Sequence, residues 1–285
     1  MNRNVGQDQA RGIALMTLAM LTIPAVDGLA KYLSSSYSPL FIGWARYAVA
    51  CAVIVPFAAV RHGRRIFPSE RLGAHMLRTV FLMIAMTLYF MSVARIPLAT
   101  AATASFISPI VAVTLAVVML KEQLTGRKLL SLALGFGGAL VVLRPGGRFE
   151  PGVLLALATG VFFAFYMIAT RMASEHSDPL KTLAFQCVAG AALLTPQAVW
   201  SWSAPAPGDL KFFAAIGVLS LVSHGLSIAA FRKAQASTLA PLVYVELIGS
   251  TAIGYLVFGD IPGVTTLLGA GLIVAAGLIL VKQRR

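Results

Sequence analysis

Ten acidic residues occur in the chain, and only two of them, Asp27 and Glu246, fall inside long apolar stretches. A charged side chain near the middle of a bilayer costs roughly 2.5–3.5 kcal/mol on insertion scales. Each of these carboxylates therefore needs a partner, a wet cavity or a proton. Glu246 lies close to the centre of its apolar run. At helical spacing it shares a face with Leu242, Gly249, Ser250 and Gly254, a small and partly polar stripe that suits protein rather than lipid. The residue type fits proton carriage or contact with a substrate amine; the competing reading is a structural hydrogen-bond anchor between helices.

Asp27 precedes Lys31 by four residues, the favourable order for an acid–base pair on a helix. Lys31 is long enough to snorkel to the interface, and Arg46 in the next run is a second candidate partner. Asp27, Lys31 and Arg46 thus read as an ion-pair or gating group, with a packing ion pair ahead of direct substrate contact. Arg78, near one end of its run, reads as snorkelling or capping. Pro24, Pro109 and Pro241 lie inside apolar runs. An interior proline removes a helical hydrogen bond and frees a carbonyl, so each marks an expected kink. His224 could titrate near neutrality or serve as a hydrogen-bonded packing residue. Thr100, Thr103, Ser105 and Ser108 form a polar series suited to close packing or to a wet wall.

The elements that carry these residues follow from composition. Of 285 residues 58% are hydrophobic and 12% charged, and the mean hydropathy is +0.84. A soluble domain carries about 25% charged residues, so a typical soluble enzyme and a disordered chain are both excluded. Apolar runs near 12–33, 39–60, 72–94, 97–120, 126–143, 152–172, 179–200, 212–231, 238–258 and 264–281 are each long enough to cross a bilayer as a helix. The breakers between them include Ser34–Pro39, Arg144–Gly147 and Ser203–Gly208. The expected fold class is an all-α integral membrane protein of ten transmembrane helices.

The net charge of +13 would suggest nucleic acid in a soluble chain, but here the basic residues sit in short loops. They concentrate at the N-terminus, after the even-numbered runs and at the C-terminus, whereas the other side carries only Lys31, Arg95, Arg144, Arg148 and Lys211. This bias puts both termini in the cytoplasm. No nucleic-acid partner is expected. Cys51 and Cys187 both lie in apolar runs, which argues against a disulfide framework or a structural zinc site. No Walker A motif and no HExxH occurs, and no cofactor or metal is expected. The polar start of the chain reads as a retained first span rather than a cleaved signal peptide.

The chain repeats itself. Shifted by 140 positions, Gly12 meets Gly152, Ser34 meets Ser174, Pro39-Leu40 meets Pro179-Leu180, and Pro56 meets Pro196. Lys31 meets Arg171, keeping a cation at the end of the first helix of each half. Runs 5 and 10 are both glycine-rich, and Lys121-Glu122 loosely matches Gly259-Asp260. The reading is two five-helix halves, 1–145 and 151–285, joined near 144–151. Five is odd, so the second half enters the membrane from the opposite side. Such inverted repeats are a common build for secondary transporters; the alternative is a duplicated bundle with no transport.

Several stretches resemble the drug/metabolite transporter superfamily, in its ten-helix branch with two EamA domains. They are Asp27–Lys31, Trp44-Ala-Arg46, Leu77-Arg78, Ile96–Pro109 running on to Leu120-Lys-Glu122, Ala240–Glu246 and Phe258–Pro262. The resemblance covers nearly the whole chain, although members often have Glu where Asp260 stands. It implies a central cavity lined by spans 1, 3, 4, 6, 8 and 9, with spans 5 and 10 peripheral, and a substrate such as an amino acid, S-adenosylmethionine or riboflavin. Tyr89, Phe90, Phe162, Phe163, Tyr166 and Tyr244 fall on spans that the resemblance places at the cavity. There they could stack on an apolar or aromatic substrate and offer hydroxyls.

The expected activity is secondary transport of a small amphipathic metabolite, an amino acid first and outward, across a bacterial inner membrane by alternating access. Uptake of S-adenosylmethionine or riboflavin is the alternative on the same fold. The expected substrate-binding residues are Glu246, Tyr244, Tyr166, Tyr89, Phe90, Phe162 and His224. Partners are a small-molecule substrate, lipid and, as a candidate coupling ion, protons; the assembly is a monomer or homodimer. An intramembrane lipid enzyme would need acids or histidines clustered at one interface, and Asp27 and Glu246 lie at different depths. A channel would conduct without saturation.

Overall fold

A computed structural model describes residues 2–96, 98–143, 151–174, 177–258 and 264–281. The expected joint at 144–151 lies mostly outside the described residues, as do Arg144, Arg148, Asp260 and the C-terminal basic residues. The side chains of Thr100 and Thr103 lie outside them as well.

The described chain is helical throughout its regular structure. Its helices are α1 (Asn2–Leu33), α2 (Pro39–His62), α3 (Leu72–Val93), α4 (Leu98–Ser105), α5 (Ser108–Leu120), α6 (Gly126–Leu143), α7 (Pro151–Ser174), α8 (Pro179–Trp200), α9 (Leu210–Lys233), α10 (Ala236–Leu239), α11 (Glu246–Phe258) and α12 (Val264–Val281). A 3-10 segment, Ala240–Val245, joins α10 to α11. Among the described residues, seven stretches are single spans long and apolar enough to cross a membrane. The interrupted pair α4–α5, with α6 and α12, brings the total to ten. The fold is thus a ten-helix membrane protein in which span 4 is interrupted at Phe106–Ile107 and span 9 passes through a 3-10 segment at Ala240–Val245.

Repeated sequence produces repeated local structure. Ser38 caps α2, its hydroxyl accepting from the Leu40 amide at 3.3 Å, and Pro39 stands in the first turn. Asp178 caps α8, its carboxylate accepting from the Leu180 and Lys181 amides at 2.9 and 3.3 Å, and Pro179 stands in the first turn. A capping side chain takes one of the amides that no helical carbonyl can reach, and proline there gives up no hydrogen bond. The matched Pro-Leu pairs are therefore matched helix starts.

The cations at the ends of the first helices are matched too. Lys31 Nζ donates to the Val93 and Ile96 carbonyls, both at 3.2 Å, at the end of α3. Arg171 Nη1 donates to the Phe231 carbonyl at 2.6 Å, near the end of α9. In each half, a cation on the first helix satisfies carbonyls that the third helix leaves open at its C-terminus, where the helix dipole favours positive charge.

Packing between the halves is reciprocal. The most extensive contacts pair α1 with α9, α3 with α7, α2 with α8 and α6 with α12. First helix meets third helix in both directions, second meets second, and fifth meets fifth, which is the pattern a two-fold axis generates. The ends of the helices sort onto two faces. On one, Lys233 at the end of α9 pairs with Asp8 at the start of α1 at 2.8 Å, and Glu122 after α5 accepts from the Ala236 and Ser237 amides that open α10. On the other, Tyr37 after α1 donates to Asp209 before α9 at 2.7 Å, and Ser92 at the end of α3 donates to the Gly152 carbonyl at the start of α7 at 2.8 Å. The start of the first half and the start of the second therefore lie at opposite ends, as an inverted repeat requires.

α6 and α12 pack on one another and against the broken spans. An added carbon on Gly135 of α6 would lie 2.0 Å from the Tyr244 ring, while one on Gly137 meets nothing within 4 Å. Gly135→Ala is accordingly expected to lower the melting temperature of the solubilised protein, an overpacking cost of about 1–3 kcal/mol. Gly137→Ala is expected to leave it unchanged or raise it, since alanine favours a helix over glycine by about 1 kcal/mol. Equal melting temperatures for the two variants would contradict this packing.

Candidate functional site

The two interrupted spans meet in the interior. Pro109 stands in the first turn of α5 rather than in the middle of a continuous helix. A proline clashes with the carbonyl four residues earlier, here that of Ser105, and the helix gives way at Phe106–Ile107. Gly160 of α7 lets that carbonyl approach: a carbon added there would lie 2.4 Å from the Ser105 oxygen. In the second half Pro241 stands in the first turn of the 3-10 segment, after which Glu246 opens α11. Pro24 is different, since it lies inside a continuous α1, where it packs over Gly249 of α11. Lipid-exposed irregular backbone is not tolerated at membrane depth, so breaks of this kind belong beside a cavity or buried in protein.

A cavity of about 30 Å³ lies between the breaks. Ser105 and Ser108 come from the first break, Val243 and Glu246 from the second. α1 contributes Asp27, α3 Met86 and Tyr89, and α7 Thr159 and Phe163. Asp27 is 2% exposed and Glu246 7%. The Tyr89 hydroxyl donates to Asp27 Oδ2 at 3.3 Å. Glu246 is the first residue of α11, where the 3-10 segment passes directly into the α-helix. Two carboxylates on one enclosed cavity are costly unless a cation or a proton joins them. The volume admits about two waters by the space one water needs. Metabolite pockets run to roughly 300–1,000 Å³, so this arrangement is a closed one.

Smaller cavities continue the polar interior. One of about 20 Å³ shares Asp27 with the first and adds Arg46, Ser220, Ser223 and His224. The next, of about 10 Å³, shares Arg46, Ser220 and His224 and adds Gln186 and Cys187. The Arg46 guanidinium lies over the Tyr47 and Phe90 rings, 4.7 and 5.6 Å from their centroids.

The aromatic residues singled out in the sequence divide by helical phase. Tyr89 lines the main cavity, but Phe90, one residue on, lies beneath Arg46. Phe163 lines the cavity, whereas Phe162 packs against Phe81 with centroids 6.4 Å apart. The Tyr166 hydroxyl lies 3.5 Å from His224 Nδ1. Tyr244 is fully buried against Phe106, at 5.4 Å, and beneath α6. The expected Asp27–Lys31 pair does not organise this end of α1: Lys31 serves the α3 carbonyls and Asp27 holds Tyr89.

Arg78 corrects a further expectation. Instead of snorkelling it is completely buried. Nε donates to Thr170 Oγ1 at 3.2 Å, Nη1 to the Thr182 carbonyl at 3.5 Å, and Nη2 to Gln186 Oε1 at 2.6 Å and to the Tyr166 hydroxyl at 3.4 Å. Residues from α7 and α8 thus satisfy a cation on α3. The signal available in the sequence was the repeat itself, since Gln186 is the position that Arg46 meets when the halves are superimposed.

Both halves of the chain match the family model described as the EamA-like transporter family, over residues 10–144 and 150–282. An S-adenosylmethionine uptake transporter of Rickettsia prowazekii is 26% identical over 275 residues, covering 96% of this chain and 93% of that protein. A riboflavin transporter of Brucella anthropi is 26% identical over 86% of this chain and 88% of that protein. The pseudopaline exporter CntI of Pseudomonas aeruginosa is 25% identical over 96% and 97%. A solved crystal structure with 19% identity shares the fold at a TM-score of 0.75, covering 93% of this chain and 95% of that one.

A double-mutant cycle checks the separate roles of Asp27 and Lys31. The stability losses of Asp27→Asn and Lys31→Met are expected to add within about 0.5 kcal/mol. Rescue of Asp27→Asn by Lys31→Met, read as a recovered melting temperature, would restore the ion-pair reading.

Proposed function

We propose, since the chain belongs to the EamA-like transporter family, that it is a secondary carrier of a small amphipathic metabolite bearing an amino-acid head group. The observation that carries this reading is the pair of buried carboxylates, Asp27 and Glu246, on one cavity between two interrupted spans. Arg46 supplies part of the positive charge at Asp27; a substrate ammonium or sulfonium supplies the rest and serves Glu246, and protons do so when the site is empty. The cavity sits where oppositely inserted halves meet, so rocking one half against the other exposes it to either side of a bacterial inner membrane in turn. The basic face is the cytoplasmic one.

A free amino acid and S-adenosylmethionine both carry the required head group. The relatives named for S-adenosylmethionine uptake favour the second, and outward movement of a free amino acid is the other substrate reading. A carrier without its own energy source moves net substrate along the combined gradients of substrate and coupled ion, so direction follows from conditions as much as from structure. Riboflavin has no cationic group for the carboxylates to meet, which places it behind both.

Purified protein in liposomes tests this. Saturable counterflow of labelled S-adenosylmethionine or an amino acid is expected, with little for riboflavin. Glu246→Gln is expected to reduce it at least about tenfold, the scale of one lost charge-assisted contact, at near-normal protein abundance. Absence of flux across the whole panel, or unsaturable conduction in electrical recordings, would defeat the carrier reading. Unchanged kinetics in Glu246→Gln would remove Glu246 from the mechanism.

A further inference from the structure

We infer that Arg46, Ser220 and Gln186 form an anion subsite that holds the carboxylate of the carried metabolite, beside Asp27 and one cavity away from Glu246, the acids that hold its cationic end. The inference rests on the carrier reading and extends it by giving the substrate an orientation.

Arg46 lies in α2 and is 2% exposed. A guanidinium carries five donors and no acceptor. Its guanidinium carbon lies 4.7 and 5.6 Å from the centroids of the Tyr47 and Phe90 rings, and Nη2 is buried with no acceptor. The ion pairs among the described residues are His62–Asp178 and Lys233–Asp8, so no carboxylate of those residues lies within 4.0 Å of Arg46. Arg78 provides the contrast: it is equally buried, yet each of its nitrogens has an acceptor.

Besides the Tyr47 hydroxyl, two further unpartnered donors belong to residues that line the same space. Ser220 Oγ, on α9, is buried without a partner and lines both smaller cavities. The Gln186 amide is oriented by Arg78: a guanidinium only donates, so the atom 2.6 Å from Nη2 is the oxygen. That leaves Gln186 Nε2 buried and unpartnered beside the innermost cavity. A guanidinium nitrogen, an amide nitrogen and a hydroxyl, contributed by α2, α8 and α9, thus lack acceptors in adjoining cavities. Leaving such groups unmet is expensive, and a planar anion meets a guanidinium edge with two parallel hydrogen bonds. Asp27, with Ile23, Met86 and Phe163, lines both this space and the main cavity. A zwitterion can therefore lay its ammonium against Asp27 and Glu246 and its carboxylate against Arg46.

Competition in proteoliposomes tests the subsite. S-adenosylmethionine is set against decarboxylated S-adenosylmethionine, or a transported amino acid against the amine lacking its carboxyl group. In the native protein the decarboxylated compound is expected to compete roughly tenfold or more weakly. Arg46→Gln and Ser220→Ala are expected to move that ratio toward one. Ser220→Ala removes a single hydroxyl, and the native-protein comparison stands even if Arg46→Gln does not fold. Equal competition by the decarboxylated compound in the native protein overturns the subsite, as does discrimination that survives both substitutions. A flux that needs chloride, tested by replacement with gluconate, while ignoring the carboxyl group would give the site to a free inorganic anion and also overturn it. No flux of any panel member removes the carrier reading and the subsite together, whereas flux indifferent to the carboxyl group removes the subsite alone.

Discussion

Hydrocarbon offers no hydrogen bonds, and every interruption in this bundle answers to that constraint. A helix that stops at membrane depth must place its loose amides and carbonyls against protein or water. Span 4 is interrupted at Phe106–Ile107, span 9 tightens into a 3-10 segment at Ala240–Val245, and residues from both line one cavity. The small residues around them follow from the same requirement. Gly160 admits the Ser105 carbonyl, Gly249 admits Pro24, and Gly135 admits the Tyr244 ring. Glu246 follows at the point where the 3-10 segment of span 9 gives way to α11.

Much of this was legible in the chain. Hydropathy alone located the spans, because a membrane demands about twenty apolar residues per crossing. The 140-residue shift found matched helix starts because Ser-Pro-Leu and Asp-Pro-Leu are capping sequences wherever they stand. Asp27 and Glu246 stood out because a carboxylate inside an apolar run has few harmless explanations. What was not legible depended on neighbours distant in sequence. Lys31 has an acid one turn away on its own helix, but its hydrogen bonds run to α3. Arg78 resembled an interfacial cation until α7 and α8 supplied its acceptors. Phe162 and Phe163 differ by the 100° between successive helical residues, and which of them meets the cavity is decided by how α7 packs.

The division of labour between the two buried arginines is a matter of completeness. Arg78 ties three helices together and has its donors occupied, so it behaves as a fixed structural joint. Arg46 is held by ring faces that leave an edge open. The same side chain, equally withdrawn from water, acts as a strut in one place and as an unfilled socket in the other. Burial alone does not distinguish these cases; the inventory of acceptors does.

The halves match in backbone plan but not in what they place at equivalent positions. Under the 140-residue shift Arg46 meets Gln186 and Asp27 meets Met167, and in the register that matches Lys121-Glu122 with Gly259-Asp260 Glu246 meets Ser108. Were the residues identical, the two opposite tilts would be related by the two-fold rotation between the halves, and the two postures would be degenerate. Because charge sits on one copy and not on its counterpart, the postures differ in energy even with nothing bound. On the carrier reading proposed above the molecule is a tilted balance, with a preferred resting side written into the divergence of its two copies.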